Sequence, residues 1–194
     1  MINQDNVMQL RERYRISIIN HRSNVSKVWN NMKTDVVCRN ALDECLKIFN
    51  GKSNSILLTN LINIVNSQVG SHDMSKMSDE EFEPYRKEFF PVDETEKEKN
   101  AQDFEVAWQH HYNNNMHHWN WWAYNHQKDK MLLTFVVEMC MDWIAMSITY
   151  PSSNAYEWFK NKEEIVLGEK QRLCVETILK TYYTQFNVHG EPIT

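Results

Sequence analysis

The sequence "MLLTFVVEMCMDWIAMS", residues 131–147, decides the fold class, because it is long, strongly apolar and free of glycine and proline. Its only polar residues are Thr134, Glu138, Asp142 and Ser147. The first three are spaced by four, so on a helix they form one narrow polar line. Burying an ionised carboxylate without compensation costs several kcal/mol. The stretch therefore predicts a buried helix over about 128–149. Its carboxylates are expected to pair with lysine, arginine or a metal ion, or at least one of them is protonated.

The composition of the whole chain agrees with a helical fold. The 194 residues are 42% hydrophobic and 24% charged, which is typical of a globular domain. Only four glycines and four prolines are present, and this scarcity argues against a fold of strands and tight turns. We find no internal repeat and no linker, and we predict a single all-α domain over residues 1–194.

Charge and cysteine usage exclude several classes of protein. A net charge of −5 without a basic run argues against nucleic-acid binding. Glu138 and Asp142 interrupt the most apolar stretch, which argues against a membrane span. The N-terminal sequence is polar and does not resemble a signal peptide. The scattered cysteines, with no C-x-x-C pair, predict reduced thiols in a cytoplasmic protein. They are Cys38, Cys45, Cys140 and Cys174.

Helical spacing and breaker residues divide the rest of the chain. We predict helices over residues 5–32, 34–49, 54–69, 154–162 and 168–186. A further helix is predicted to begin within residues 91–102 and to continue through DFEVAWQHHY. Gly70 is expected to end the third of these helices, and Asn50-Gly51 the second. Ser78 with Glu81 has the spacing of a capping box, which predicts that a short helix starts there. Residues 113–126, rich in histidine and tryptophan, are expected to be irregular.

Histidines recur at positions that such helices would bury. His21 shares an apolar face with Ile18 and Val25, and His111 lies on the face of Phe104 and Trp108. His110 points about 100° away from His111 on the same helix. A single histidine on an apolar face is usually a core residue, so none of these positions decides a function alone.

The doublets His72-Asp73 and His117-His118 lie outside the predicted helices. Adjacent histidines in a loop are expected to diverge, so that one binds a metal while the other contacts substrate or fixes the loop. The alternative is that residues 113–126 form an aromatic cluster that only packs.

Together these residues follow the order H…HD…H…H…D along the chain. Imidazoles and carboxylates are ligands for Fe, Mn, Co and Zn, and carboxylates also suit Mg. The set predicts one or two divalent metal ions, with Asp73 as the bridge because its carboxylate has two oxygens. Two ions about 3.5–4 Å apart clamp a phosphate in many hydrolases.

The ordered pattern resembles the HD-domain superfamily of metal-dependent phosphohydrolases. The resemblance implies an all-α, HD-domain-like helical bundle with a metal site between helices. His21, His72-Asp73 and Asp142 match it, and HDMSK resembles the form H-D-x-x-K. The additional His111 and His118 resemble the branch with six ligands and two metals. That branch contains phosphodiesterases, dinucleoside-tetraphosphate hydrolases and a few di-iron oxygenases.

The resemblance implies roles for individual residues. The implied metal ligands are His21, His72, Asp73, His111, His118 and Asp142. The implied catalytic residues are Asp73, Lys76 and Glu138, with Lys76 neutralising phosphate charge and Glu138 orienting a ligand or accepting a proton. The implied substrate contacts are Lys76, His117, Trp119 and Trp122, with the tryptophans stacking on a base.

A closer resemblance is to a family of small bacterial and phage proteins of unknown function. It is carried by HDMSKMSDEEFEPY, AWQHHYNNNMHHWNWW and EMCMDWIAMS, followed by WFKNKEEIVL and RLCVETIL. The G-Y-P signature of the better-known two-metal phosphodiesterases is absent, which argues against a cyclic dinucleotide substrate.

These observations lead to three hypotheses. The first is a metal-dependent phosphohydrolase that acts on a nucleotide or another small phosphoester through a metal-activated water. The second is a di-iron oxygenase of the same superfamily. The third is a non-catalytic factor that binds a nucleotide or a host protein.

Overall fold

A computed structural model describes residues 4–152 and 154–193. The chain divides into two compact units. Unit 1 comprises residues 4–22 and 72–115, and unit 2 comprises residues 23–71, 116–152 and 154–193. The prediction of a single domain stays a prediction.

Helices dominate the described residues, and the predicted all-α class is confirmed. The α-helices are α1 (Gln4–Thr34), α2 (Val36–Asn50), α3 (Ser55–Ser71), α4 (Phe82–Phe89), α5 (Glu94–Asn114), α6 (Trp119–Tyr124), α7 (Leu133–Thr149), α8 (Ala155–Lys160) and α9 (Glu169–Gln185). Short 3₁₀ turns cover Met74–Met77 and Lys128–Lys130. Within residues 4–152 and 154–193, the only β pairing is one isolated bridge between Phe186 and Pro192.

Unit 1 is built on α4 and α5, which pack against each other. Asp93 caps α5, because its carboxylate accepts a hydrogen bond of 2.8 Å from the Glu96 N–H. The buried Arg86 guanidinium donates to both carboxylate oxygens of Glu96, at 2.7 and 2.9 Å. The apolar cluster of this unit is formed by Tyr14, Ile18, Phe82, Tyr85 and Ala107. His110 and His111 therefore lie on a helix that is capped at its N-terminus and packed against α4.

Unit 2 surrounds the apolar helix α7, which packs against α2, α3, α8 and α9. Val136, Val137, Cys140 and Met141 on α7 are fully buried, as the sequence predicted for this stretch. Glu138 and Asp142 are buried among them, at 4% and 9% exposure. The predicted burial of two carboxylates on an apolar helix is thus confirmed.

The ends of α2 follow the sequence signals. Asp35 accepts a hydrogen bond of 2.8 Å from the Cys38 N–H at the N-terminus. At the C-terminus Gly51 has φ 72°, a left-handed conformation that glycine adopts without strain.

Two predicted boundaries of helices are wrong. Gly70 does not end α3, which continues to Ser71, and the left-handed residue that follows is Asp73 with φ 55°. Ser78 and Glu81 do not form a capping box, and α4 begins at Phe82, whose N–H donates to the Ser78 carbonyl at 2.9 Å. The Glu81 carboxylate is unavailable for capping because it accepts hydrogen bonds from two histidines.

Two further boundaries lie in unit 2. The segment 113–126, predicted to be irregular, contains helix α6. The helix predicted over 128–149 begins only at Leu133, because Leu132 before it is extended. The Gln171 side chain donates to the carbonyls of Asp129 and Met131, at 3.0 Å each, and satisfies them outside a helix.

No helix in the described ranges combines the length and apolarity needed to cross a membrane. The four cysteines are free thiols, as predicted, and all four are buried. The cytoplasmic location stays a prediction.

Candidate metal centre

The His72-Asp73 doublet forms the turn between α3 and the 3₁₀ turn Met74–Met77. Asp73 has φ 55° and ψ 21°, and aspartate is one of the few residues that adopt this conformation at modest cost. Both side chains are 1% exposed. An unusual backbone conformation at a buried ionisable residue such as Asp73 is typical of functional sites.

In unit 1, His21, His72 and Asp73 bring three potential ligand atoms together. Nε2 of His21 lies 3.3 Å from Nε2 of His72. Each of these nitrogens lies 3.7 Å from Oδ2 of Asp73. The three predicted ligands therefore converge, although they come from α1 and from the turn after α3.

The second oxygen of the Asp73 carboxylate faces a different histidine. Oδ1 of Asp73 lies 3.3 Å from Nε2 of His111, which is fully buried on α5. The prediction that His111 points inward is confirmed. A single carboxylate thus connects two histidines through one oxygen and a third histidine through the other.

Cationic and protonatable groups surround Asp73 and determine its charge. Lys76 Nζ lies 2.6 Å from Asp73 Oδ2. Burial raises the pKa of Asp73, but Lys76, His72 and His111 outweigh burial and hold it well below its usual range. Asp73 is therefore a carboxylate at neutral pH, the form in which a carboxyl group binds metal.

The separations in unit 1 fit a first-row divalent ion. Ligand atoms about 2.1 Å from an ion lie about 3.0 Å apart at right angles and about 3.4 Å apart at tetrahedral angles. The separations of 3.3 and 3.7 Å among His21, His72 and Asp73 are close to the tetrahedral value. Such buried histidine and carboxylate groups could hold a metal ion.

Unit 2 contains a second group of potential ligands. His117, His118 and Asp142 each offer one atom, and these atoms lie within 4.8 Å of one another. Nδ1 of His117 also lies 3.3 Å from Oε1 of the buried Glu138. The centroids of the two imidazole rings are only 4.3 Å apart. The expectation that adjacent histidines diverge is wrong here, because the two rings lie against each other.

The residues predicted to contact substrate differ in their surroundings. Trp122 is 7% exposed, belongs to the apolar core of unit 2 and donates from Nε1 to the Met116 carbonyl at 2.8 Å. These contacts are those of a core residue. Trp119 is half-buried and packs at the edge of the same core. Lys76 forms an ion pair with Asp73. The role of each residue in substrate binding stays a prediction.

The sequence interpretation missed Glu81. This side chain is completely buried, and its two oxygens accept from Nδ1 of His110 and from Nδ1 of His111, at 2.7 Å each. Burial raises its pKa, but the hydrogen bonds from His111 and His110 outweigh burial and lower it. The sequence could not show this role, because nothing in MSDEEFEPY distinguishes the buried Glu81 from its neighbour Glu80.

Two tyrosines of unit 1 were also missed. The hydroxyl groups of Tyr14 and Tyr85 are buried and have no hydrogen-bond partner among the residues that the structure describes. The ring of Tyr85 lies against His111, with centroids 5.6 Å apart, and Lys76 Nζ lies 5.7 Å from its centroid. Burial raises the pKa of both phenols, and the charges of Asp73 and Glu81 raise them further. Both therefore stay protonated and able to donate.

The sequence profile of a family of unknown function, DUF5662, matches residues 10–181. The chain belongs to this family. The predicted membership of a family of unknown function is confirmed, and the matched range of DUF5662 contains every candidate ligand from His21 to Asp142. No curated protein and no solved structure gives a significant match. Membership of the HD superfamily stays a prediction. So do the two predicted shared metal sites, one of Asp142 with His72 and one of His118 with His111.

Proposed function

We propose that this DUF5662 protein is a metal-dependent phosphohydrolase of the HD superfamily that acts on a nucleotide or another small phosphoester. The observation that carries the proposal is the position of Asp73, whose Oδ2 faces His21 and His72 while Oδ1 faces His111. A carboxylate that contacts separate histidines through its two oxygens is suited to bridge two cations.

The residues of unit 1 would hold the ions. His21, His72 and Asp73 form one ligand group, and Asp73 with His111 begins a second. The sequence pattern adds Asp142 to the first group and His118 to the second. Bound divalent ions supply the positive charge that polarises a phosphoryl group and lowers the pKa of a water molecule.

Lys76 would help to bind the phosphate. Its side chain is 22% exposed and its ammonium group lies beside Asp73, so a phosphoryl oxygen held near Asp73 would be within reach of this flexible side chain. Tyr14 and Tyr85 support the same proposal, because two buried phenols without partners in the described part of the chain are suited to donate to oxygens of a bound ligand. Glu138 keeps its proposed role as a proton acceptor or as the partner of a metal ligand.

A di-iron or mononuclear iron oxygenase is the second candidate. His21, His72 and Asp73 provide two histidines and one carboxylate on converging atoms. Such a 2-His-1-carboxylate set is typical of non-haem iron(II) oxygenases. Absorption bands of iron in aerobically purified protein, without hydrolysis of any phosphoester, would favour this candidate.

The test is a screen of phosphoesters and nucleotides with Mn, Fe, Mg, Co and Zn added singly. The proposal predicts hydrolysis of at least one nucleotide or small phosphoester that requires a divalent ion and is lost on chelation. The variant Asp73→Asn should be inactive, and His189→Ala, which changes an exposed histidine of unit 2, should be as active as the wild type. A nucleotide that binds tightly and is not hydrolysed with any of these metals would contradict the proposal and favour a binding factor.

A further inference from the structure

Glu81 reaches two consecutive histidines with one carboxylate. Oε1 lies 2.7 Å from Nδ1 of His110, and Oε2 lies 2.7 Å from Nδ1 of His111. An ionised carboxylate only accepts hydrogen bonds, so Nδ1 of His110 and Nδ1 of His111 must both donate. The short distances and the complete burial of Glu81 make these charge-assisted hydrogen bonds.

The bond from His111 determines which of its nitrogens is left to bind an ion. With the proton on Nδ1, a neutral imidazole carries its lone pair on Nε2. Nε2 of His111 is the nitrogen that lies 3.3 Å from Asp73 Oδ1. A ligating histidine commonly donates its other N–H to a carboxylate, which fixes the tautomer and the ring orientation.

We infer that Glu81 is a positioning residue, which keeps the proton of His111 on Nδ1 and presents Nε2 as a metal ligand. The inference rests on the metal site of the proposed function and adds to it a residue that touches neither ion nor substrate. The inference also gives a role to Glu81 in the sequence HDMSKMSDEEF, which follows the His72-Asp73 doublet. The chain turns back after Lys76 so that Glu81 comes to lie against α5.

Two other groups approach Nδ1 of His111 and do not replace Glu81. Oγ of Ser75 and Nδ2 of Asn115 both lie 3.2 Å away. The Asn115 amide nitrogen is a donor and cannot accept a hydrogen bond from the N–H at Nδ1. Ser75 accepts a bond of 2.7 Å from Asn115, and its neutral hydroxyl is a weaker acceptor than a carboxylate.

His110 holds the opposite side of the same carboxylate. It is partly exposed, and its Nε2 lies 3.2 Å from the Asn114 amide nitrogen. The two histidines project about 100° apart from α5, and Glu81 lies within reach of both. His110 therefore restrains Glu81 rather than serving as a ligand.

The direct test is the tautomer of His111, measured by ¹⁵N-histidine NMR of metal-free protein at a pH where the ring is neutral. The His111 signals are assigned by their absence in His111→Gln. We expect a protonated Nδ1 in the wild type and in Glu81→Gln, whose amide oxygen still accepts. In Glu81→Ala the proton should move largely to Nε2, towards Asp73. The matched control Glu88→Gln removes a carboxylate of α4 that pairs with Lys97 and should leave the tautomer unchanged.

A proton on Nε2 in the wild type would overturn the inference even if Glu81→Ala does not fold. An unchanged tautomer in folded Glu81→Ala would overturn it as well. A residue that only stabilises the fold would lower the unfolding temperature of Glu81→Gln without altering the tautomer in Glu81→Ala.

Metal titration separates this inference from the proposed function. With Mn²⁺, Glu81→Ala should raise the Kd about 10–100-fold, as loss of such a supporting carboxylate does elsewhere, and Glu81→Gln should raise it less. If the wild type binds no divalent ion, the proposed function fails while the tautomer still tests Glu81. If wild type and Glu81→Ala bind Mn²⁺ equally, the inference fails and the proposed function is unaffected.

Discussion

Oδ1 of Asp73 lies 3.3 Å from Nε2 of His111, while Oδ2 of the same carboxylate lies 3.7 Å from His21 and 3.7 Å from His72. Residues from α1, from the turn after α3 and from α5 thus meet at one buried side chain. Because a buried carboxylate must be compensated by positive charge, this arrangement determines which substitutions are informative.

Replacing Lys76 with methionine should strengthen cation binding and weaken phosphoester binding. The ammonium group lies 2.6 Å from Asp73 Oδ2, where it repels a bound cation. Isothermal titration with Mn²⁺ should therefore give a lower Kd for Lys76→Met, and the KM for a phosphoester should rise. Lys47→Met is the control, since Lys47 pairs with Asp43 on an exposed helical surface of α2. A weaker affinity for Mn²⁺ in Lys76→Met would contradict the assigned role.

Trp122→Ala should act on stability. Its indole is buried in the core of unit 2 and donates to Met116. Removing a buried tryptophan costs about 3–5 kcal/mol of unfolding free energy. Trp119→Ala, which removes a half-buried ring, should cost less. Urea denaturation measures both values. Wild-type stability of Trp122→Ala, together with a loss of substrate affinity, would instead restore the stacking role that the sequence suggested.

Tyr14→Phe and Tyr85→Phe should be neutral or stabilising in the ligand-free protein. Each removes a buried hydroxyl that has no partner within residues 4–152 and 154–193, and an unsatisfied polar group costs about 1–3 kcal/mol. The comparison is Tyr182→Phe, because the Tyr182 hydroxyl accepts from Asn31 at 3.2 Å and its loss should cost about 1 kcal/mol. Thermal unfolding distinguishes the two outcomes. Destabilisation of Tyr14→Phe as large as that of Tyr182→Phe would mean that the hydroxyl is bonded in solution.

Acid should weaken unit 1 through Glu96. Hydrogen bonds from Arg86 lower the pKa of Glu96, burial opposes them, and the Val92 N–H adds to the lowering. A carboxyl group with a lowered pKa stabilises the fold above its ordinary pKa, and this contribution is lost as the pH falls through the lowered value. Glu96→Gln should therefore be less stable than the wild type at neutral pH, with a difference that shrinks in acid. A difference that does not change between neutral and acidic pH would exclude this origin.

Helix α7 and the inward position of His111 were the parts that the sequence predicted well. A run of apolar residues with carboxylates spaced by four has few arrangements other than a buried helix with a polar line. His111 could be assigned to the inner face of α5 because Phe104 and Trp108 share that face. In both cases a periodic pattern extends over several turns of helix.

The turns after α3 could not be predicted in the same way. Gly70 was expected to end the helix because glycine favours left-handed conformations, yet Asp73 takes that conformation and Gly70 remains helical. Glu81 was assigned to a cap because Ser78 lies three residues before it. The stronger partners of Glu81 are His110 and His111, which lie about thirty residues away and leave no local signal.

The measurement that tests the central claim most directly is the divalent metal content of purified protein, by elemental analysis, in the wild type and in the double variant His72→Ala with Asp73→Asn. Asparagine tolerates the left-handed conformation at position 73, so the turn is retained while the charge is lost. His189→Ala serves as the control for removal of an exposed histidine. We predict at least one ion per chain in the wild type and in His189→Ala, and none in the double variant. Equal metal content in all three proteins would contradict a metal site at Asp73.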